Sequence, residues 1–130
     1  MLNARGFTLM ETLVSLALVG VMMAWAMPHF QMQLQRTRRG DAHVALGQVT
    51  LAQSSRQMTG LPPSDDFKAL GLSAISPAGH YQLHISTHGT GYTVHATALA
   101  SQAQDSCPQI WVRWDQTGLQ RGPNDACWPQ

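Results

Sequence analysis

The sequence predicts an α+β fold: one long amino-terminal helix laid against a small antiparallel sheet of about four strands. Three observations predict it. An almost uncharged apolar run covers Phe7 to Met27, with Glu11 its single charge. Beyond it an apolar stripe recurs at helical spacing to about Met58. After Gly79 the periodicity changes from three or four residues to two, the spacing of half-buried strands.

As a helix the first run is about 30 Å long, enough to cross the hydrocarbon core of a bilayer. A cleaved secretory signal would be shorter and would end in a small-residue stop, whereas this run ends Trp25-Ala26-Met27-Pro28. A plain anchor accounts for the length but not for an acid in its second turn. Burying a carboxylate in lipid costs about 2.5–3.5 kcal/mol near the membrane centre and less near an end. That cost suggests a partner for Glu11.

Helix is expected to continue to about Met58. Gly20 weakens it locally, and Pro28 removes one backbone donor, so a kink or a short unwound break is expected there. Gln31, Gln33, Gln35, Arg36, Arg38, Arg39 and Asp41 then make the surface polar. Ala42, Ala45, Val49 and Ala52, with Leu46 beside them, form a stripe of mostly small side chains on which a sheet can sit closely. Thr59-Gly60-Leu61-Pro62-Pro63 ends the helix. Ser64-Asp65-Asp66 is placed to cap one short helical turn through Leu70, and residues 71–79 read as irregular connection.

In residues 81–86, Tyr81, Leu83 and Ile85 share a face; in 92–97, Tyr92, Val94 and Ala96 do so. Thr87 to Gly91 joins them as a turn, a hairpin signal. A third strand, 109–114, aligns Ile110, Val112 and Trp114. Asp115 to Gly118 turns it, and Leu119-Gln120 begins a short fourth.

Gly6-Phe7-Thr8-Leu9-Met10-Glu11 resembles the processing site of type IV prepilins: a short leader ending in Gly, then Phe-Thr-Leu-x-Glu, then a long apolar helix. The resemblance implies a removable leader over residues 1–6 and a membrane and filament-core helix over 7–28. It implies a periplasmic pilin domain over 29–130, which includes the second half of the helix. A prepilin peptidase would cut between Gly6 and Phe7 and N-methylate Phe7. Glu11 would then meet the new amino terminus of a neighbouring subunit, each charge relieving the other's desolvation. Other pilins, through their amino-terminal helices, and an inner-membrane assembly platform are the implied partners. The implied locations are the bacterial inner membrane and, after assembly, the pilus. Arg5 precedes the span while Arg36, Arg38 and Arg39 follow it, so charge alone does not set the orientation.

With the leader inside, Cys107 and Cys127 would face the periplasm, where disulfides persist. A bridge would tie the third strand to the tail; the alternative is two buried thiols. The Cys-Pro, strand, turn, Cys-Trp layout also resembles the disulfide-bounded carboxyl region of small minor pilins.

Composition narrows the function. The chain has 130 residues, 44% apolar, and a formal charge of +1. That leaves room for one modest domain beside the span and excludes a strongly basic nucleic-acid binder. Six histidines raise a metal reading, and His84 and His95 can oppose one another in the hairpin with His80 and His88 nearby. No spacing matches a metal motif, however, and they read as solvated strand residues. No cofactor and no catalytic constellation are expected; the protein reads as a non-enzyme. The leading function is therefore a minor pilin of a type IV pilus. A type II secretion pseudopilin is one alternative, against which the two-cysteine carboxyl region leans. A DNA receptor for natural transformation is the other. Its contacts would come from Arg36, Arg38, Arg39, Arg113 and Arg121, with Arg56 and Lys68 adding charge and Trp111, Trp114 and Trp128 offering stacking surfaces. Asp65, Asp66, Asp105, Asp115 and Asp125 would dilute that field.

Overall fold

A computed structural model describes residues 6–129; Met1 to Arg5 of the expected leader lie outside them. The described chain is a helix α1 (Leu9–Met58) followed by strands β1 (Tyr81–His88), β2 (Gly91–Ala98), β3 (Gln109–Asp115) and β4 (Gly118–Gly122). Contacts divide the chain into a unit up to Leu34 and a second from Gln35 onward.

In the first unit Thr8 starts the helix, its hydroxyl accepting the Glu11 N–H at 3.3 Å, while Gly6 and Phe7 stay outside it. Of the kink or unwound break expected at Pro28, the break does not occur, since α1 runs through the proline. A proline deletes its own amide donor, a local cost of about 3 kcal/mol, and the turns on either side keep their bonds. The apolar segment is long enough to cross a membrane, and none of it is buried within the chain.

The second unit is the sheet, in the order β1-β2-β3-β4 and antiparallel throughout, with the carboxyl half of α1. Ala42, Ala45, Leu46 and Val49 form one core with Tyr81, Leu83, Ile85, Tyr92, Val94, Ile110 and Val112. The expected stripe is present, with Ala52 only half-buried and Gln53 fully buried beyond it. Gln53 is satisfied there: its amide nitrogen donates to the Ser64 carbonyl at 2.5 Å, and its oxygen accepts the Ser64 N–H at 3.0 Å. Asp41, also on α1, holds the connection to β1 by accepting from Ser76 Oγ at 2.5 Å and from the amides of Ala78 and His80 at 2.9 and 3.2 Å.

The helical turn expected after Ser64 is instead a set of hydrogen-bonded turns through Leu72. Asp66 caps the Lys68 amide at 2.9 Å, but Gly71, at a φ of 69°, leaves the helical region. The first hairpin is tighter than expected. Both strands extend to a two-residue turn, Gly89-Thr90, with Gly89 at a φ of 60°. Two short 3₁₀ helices, Ala100–Gln104 and Asp125–Cys127, were not foreseen.

Across the outer face of the sheet, away from α1, His84, His95, Trp111 and Gly122 share one row. A Cβ on Gly122 would overlap the Trp111 indole, so the ring lies on bare backbone. Gly122→Ala is therefore expected to destabilise by about 1–3 kcal/mol and to move Trp111 toward water. Thermal melting and a red shift of tryptophan emission read the two effects.

Candidate nucleic-acid interface

The DNA-receptor alternative needs the fold to gather its five arginines, and the sheet separates two of them. Arg113 and Arg121 are on adjacent strands but on opposite faces. Arg113 pairs in register with Gln120 on the outer face, whereas Arg121 pairs with Val112 on the helix side. Arg36 and Arg39 are on α1, and with His43 they line a groove closed by Cys107, Asn124, Cys127 and Trp128. A second groove continues past His43 and Trp128 to Arg121 and Leu119.

Trp128 sits at the junction. Its ring stacks on His43 at 4.8 Å, Arg121 lies over it at 5.3 Å, and its Nε1–H donates to the Gly122 carbonyl at 3.2 Å. His43 Nε2 is 2.9 Å from the Cys127 carbonyl, which requires the proton on Nε2. Burial, then the positive charges of Arg39 and Arg121, hold the His43 pKa below its ordinary value. The tail is thus fixed to both α1 and β4. The Cys107–Cys127 disulfide ties it to the start of β3.

Arg39 corrects the expectation. Its guanidinium grips Asp105 with two bonds of 2.6 Å and also donates to Ser106 Oγ at 2.8 Å and the Ala126 carbonyl at 3.2 Å. The two side chains are only 11% and 3% exposed. Its donors are directed into the protein, so Arg39 builds the groove wall and is not placed to grip a ligand. Asp105 correspondingly does not dilute the field, because the Arg39 hydrogen bonds hold its carboxyl below the usual range and its charge is matched. Arg38 reaches Ser101 Oγ at 3.2 Å. Trp114 stacks at 6.2 Å on the buried Tyr92 and packs, partly buried, against the core on the helix side of the sheet. Neither Asp105 as a buried partner nor His43 as a stacking residue was foreseen. Helical spacing puts Arg39 and His43 on one face but does not say which residues of the tail return to it.

The histidines do not converge. His84 and His95 are directly opposed on the outer face, and His88 contacts Thr93 Oγ1 at 2.8 Å. Among the described residues no group of three or more His, Cys, Asp and Glu side chains comes together as a metal would need.

Comparison with known families decides the identity. The family model described as type IV minor pilin ComP, DNA uptake sequence receptor, matches residues 28–111, more than half of the chain. The chain belongs to this minor pilin family. A second model, the prokaryotic N-terminal methylation motif, matches residues 1–27 of the same minor pilin. The two matches abut at Pro28, so the prepilin-like head and the pilin domain form one continuous assignment. No curated protein matches this minor pilin significantly.

Proposed function

We propose that this minor pilin is the DNA-binding subunit of a type IV pilus. It is inserted in the inner membrane through residues 7–28 with its domain, 29–130, in the periplasm. Prepilin peptidase cuts between Gly6 and Phe7 and methylates Phe7, and an inner-membrane platform passes the subunit into a filament of packed helices. The reading is of a structural and binding protein, not an enzyme. A family described as a DNA uptake receptor supports it over a secretion pseudopilin.

The observation that carries the DNA reading is the pair of grooves meeting at Trp128, with Arg36 lining the first and Arg121 lying over the Trp128 ring in the second. These cations, far apart in sequence, line grooves that share one aromatic stack, an arrangement suited to a phosphate backbone passing over it. The formal charge is close to zero, so attraction must be local and salt-sensitive. In a gel shift with the full chain in detergent, binding of duplex DNA should fall steeply as salt rises. Arg36→Ala and Arg121→Ala should each weaken it on all sequences and lower the salt slope by about one. No shift at low ionic strength would remove the DNA reading.

Processing is tested separately. Gly6 and Phe7 precede the helix and are exposed, as a protease substrate must be. Gly6→Val should leave the leader attached, seen as a longer product on a gel. Glu11→Ala should be cleaved normally yet be depleted from sheared pili; wild-type abundance there would contradict its role at the neighbour's amino terminus.

A further inference from the structure

The outer face of the sheet, opposite the one that packs on α1, is not used by the grooves. Strand register places Trp111 there as the one large apolar side chain among polar neighbours. Gln82, His84, Gln109, Arg113 and Gln120 on this face are exposed. Trp111 is half-buried, and Gly122 beneath its ring is fully buried. A Cβ at Gly122 would lie 2.2 Å from the ring's Cε2 and Cζ2. The indole is therefore bedded on the β4 backbone by one face, and its other face is turned to solvent.

Polar groups surround this flat ring. Arg113 follows two residues along β3 on the same face, about 7 Å away. Its Nε donates to Thr93 Oγ1 at 3.3 Å, which fixes the guanidinium, and its terminal nitrogens have no hydrogen-bond partner among the described residues. Asp115, further along, is occupied instead by the Thr117 amide at 2.8 Å and hydroxyl at 2.5 Å. Gln109 directs its amide nitrogen to Thr97 Oγ1, and Gln120 directs its own to Thr117 Oγ1, each at 3.3 Å. Both amide oxygens are left to accept from a ligand. On the ring's other side, burial, then His84 and Arg113, lower the His95 pKa. Arg113 is thus the one permanent positive charge beside the ring.

We propose that this face binds an acidic saccharide, with a pyranose ring stacked on Trp111 and its carboxylate paired with Arg113. The C–H groups of a sugar suit the electron-rich face of an indole. A guanidinium with both terminal nitrogens open takes a carboxylate in bidentate fashion. The two glutamine oxygens accept from ring hydroxyls, so that a few placed polar groups fix the orientation of the stacked ring. Charge selects this occupant over others. A phosphodiester strand carries a charge at every unit and draws its affinity from several cations, whereas one is present here. A protein partner would call for a cluster of apolar anchors, whereas this face has one. The site shares no residue with the grooves and does not depend on the DNA reading.

The test is isothermal titration of the full chain in detergent with sodium polygalacturonate, its methyl ester and dextran. Wild type should bind polygalacturonate, and should bind the ester, which lacks the charge, roughly 10- to 100-fold more weakly. Arg113→Gln should lose affinity for polygalacturonate by the same factor and lose little toward the ester. Trp111→Ala should weaken both by about tenfold or more. Gly122→Ala, which moves the ring but removes no polar group, should also weaken both. Near-UV circular dichroism checks the fold, and the exposed Arg113→Gln decides the matter where a Trp111 or Gly122 variant melts early. Arg36→Ala and Arg121→Ala should bind polygalacturonate as wild type does. Loss in those two with Arg113→Gln unaffected would assign the polyanion to the grooves and overturn the proposal. So would equal affinity for acid and ester, or no heat with polygalacturonate at low salt. Single-stranded oligothymidylate that binds more tightly than polygalacturonate, and is lost in Trp111→Ala, would make the ring a nucleic-acid platform and overturn it as well.

Discussion

Removing either partner of the Arg39–Asp105 pair is expected to destabilise the pilin domain by about 3–5 kcal/mol, a large effect for a small domain. Both side chains are well covered, and the contact is a two-pronged one at 2.6 Å. Arg39→Ala strands a carboxylate that is also about 3.3 Å from the Gln102 amide, in a network that includes Tyr81 and the Gln35 carbonyl. Asp105→Ala strands a guanidinium. Replacing both, as Arg39→Met with Asp105→Leu, should recover much of the loss, because no buried charge is then left alone. Thermal unfolding followed by near-UV circular dichroism measures all three. At roughly 4–8 °C per kcal/mol for a domain of this size, the single variants should be unmistakable. A melting temperature unchanged in Arg39→Ala would show that the pair does not hold the tail.

The same pair sets an acid limit. Arg39 lowers the Asp105 pKa; for Asp41, burial pushes upward but the hydrogen bonds from Ser76, Ala78 and His80 outweigh it. A carboxyl depressed in the folded state stabilises above its unfolded pKa, near 3.9, and that stability disappears as the pH falls through the lower folded value. His43 and His95 act in the same direction at higher pH. Burial depresses both, so the folded state resists their protonation and stability begins to fall below about pH 6.5. Melting temperature should therefore decline in two stages on acidification. In Asp105→Asn the lower stage should shrink.

Loss of the disulfide is the second large expectation. Cys107→Ser with Cys127→Ser should cost about 3 kcal/mol, the chain-entropy value for a loop of this size. It should also weaken DNA binding beyond what stability explains. The bridge holds the tail that carries Trp128, and Trp128 carries the contacts to His43 and Arg121. Both cysteines are nearly inaccessible, at 3% and 2% exposure, so a reductant should act only once the domain opens. Equilibrium urea unfolding, with and without reductant, tests the stability claim. A serine double variant as stable as wild type, with full DNA binding, would contradict both parts.

Several elements of this pilin were legible because they depend on neighbours in sequence. The prepilin motif is six consecutive residues. The long helix follows from periodicity and from helix-ending Gly and Pro, and the strand faces follow from alternation. The boundaries were less legible: β1 and β4 ran longer than expected because pairing partners, not local preference, decide where a strand ends. At Pro28 the sequence left a kink and a break both open, because the local cost of proline is visible in sequence while the cooperativity of the helix on either side is not.

The site divides along the same line. Sequence by itself determined the greasy amino-terminal helix, its processing signal, the helix-on-sheet layout and the supply of arginines and tryptophans, all of which are local patterns. Only the tertiary structure decided what each arginine does. It closed Arg39 onto Asp105, set Arg121 over Trp128 beside the α1 groove, and turned Arg113 to the outer face beside Gln120. Those outcomes depend on strand register and on where the tail returns. A side chain's partner is chosen by contacts between residues distant in the chain, and no local pattern records that choice.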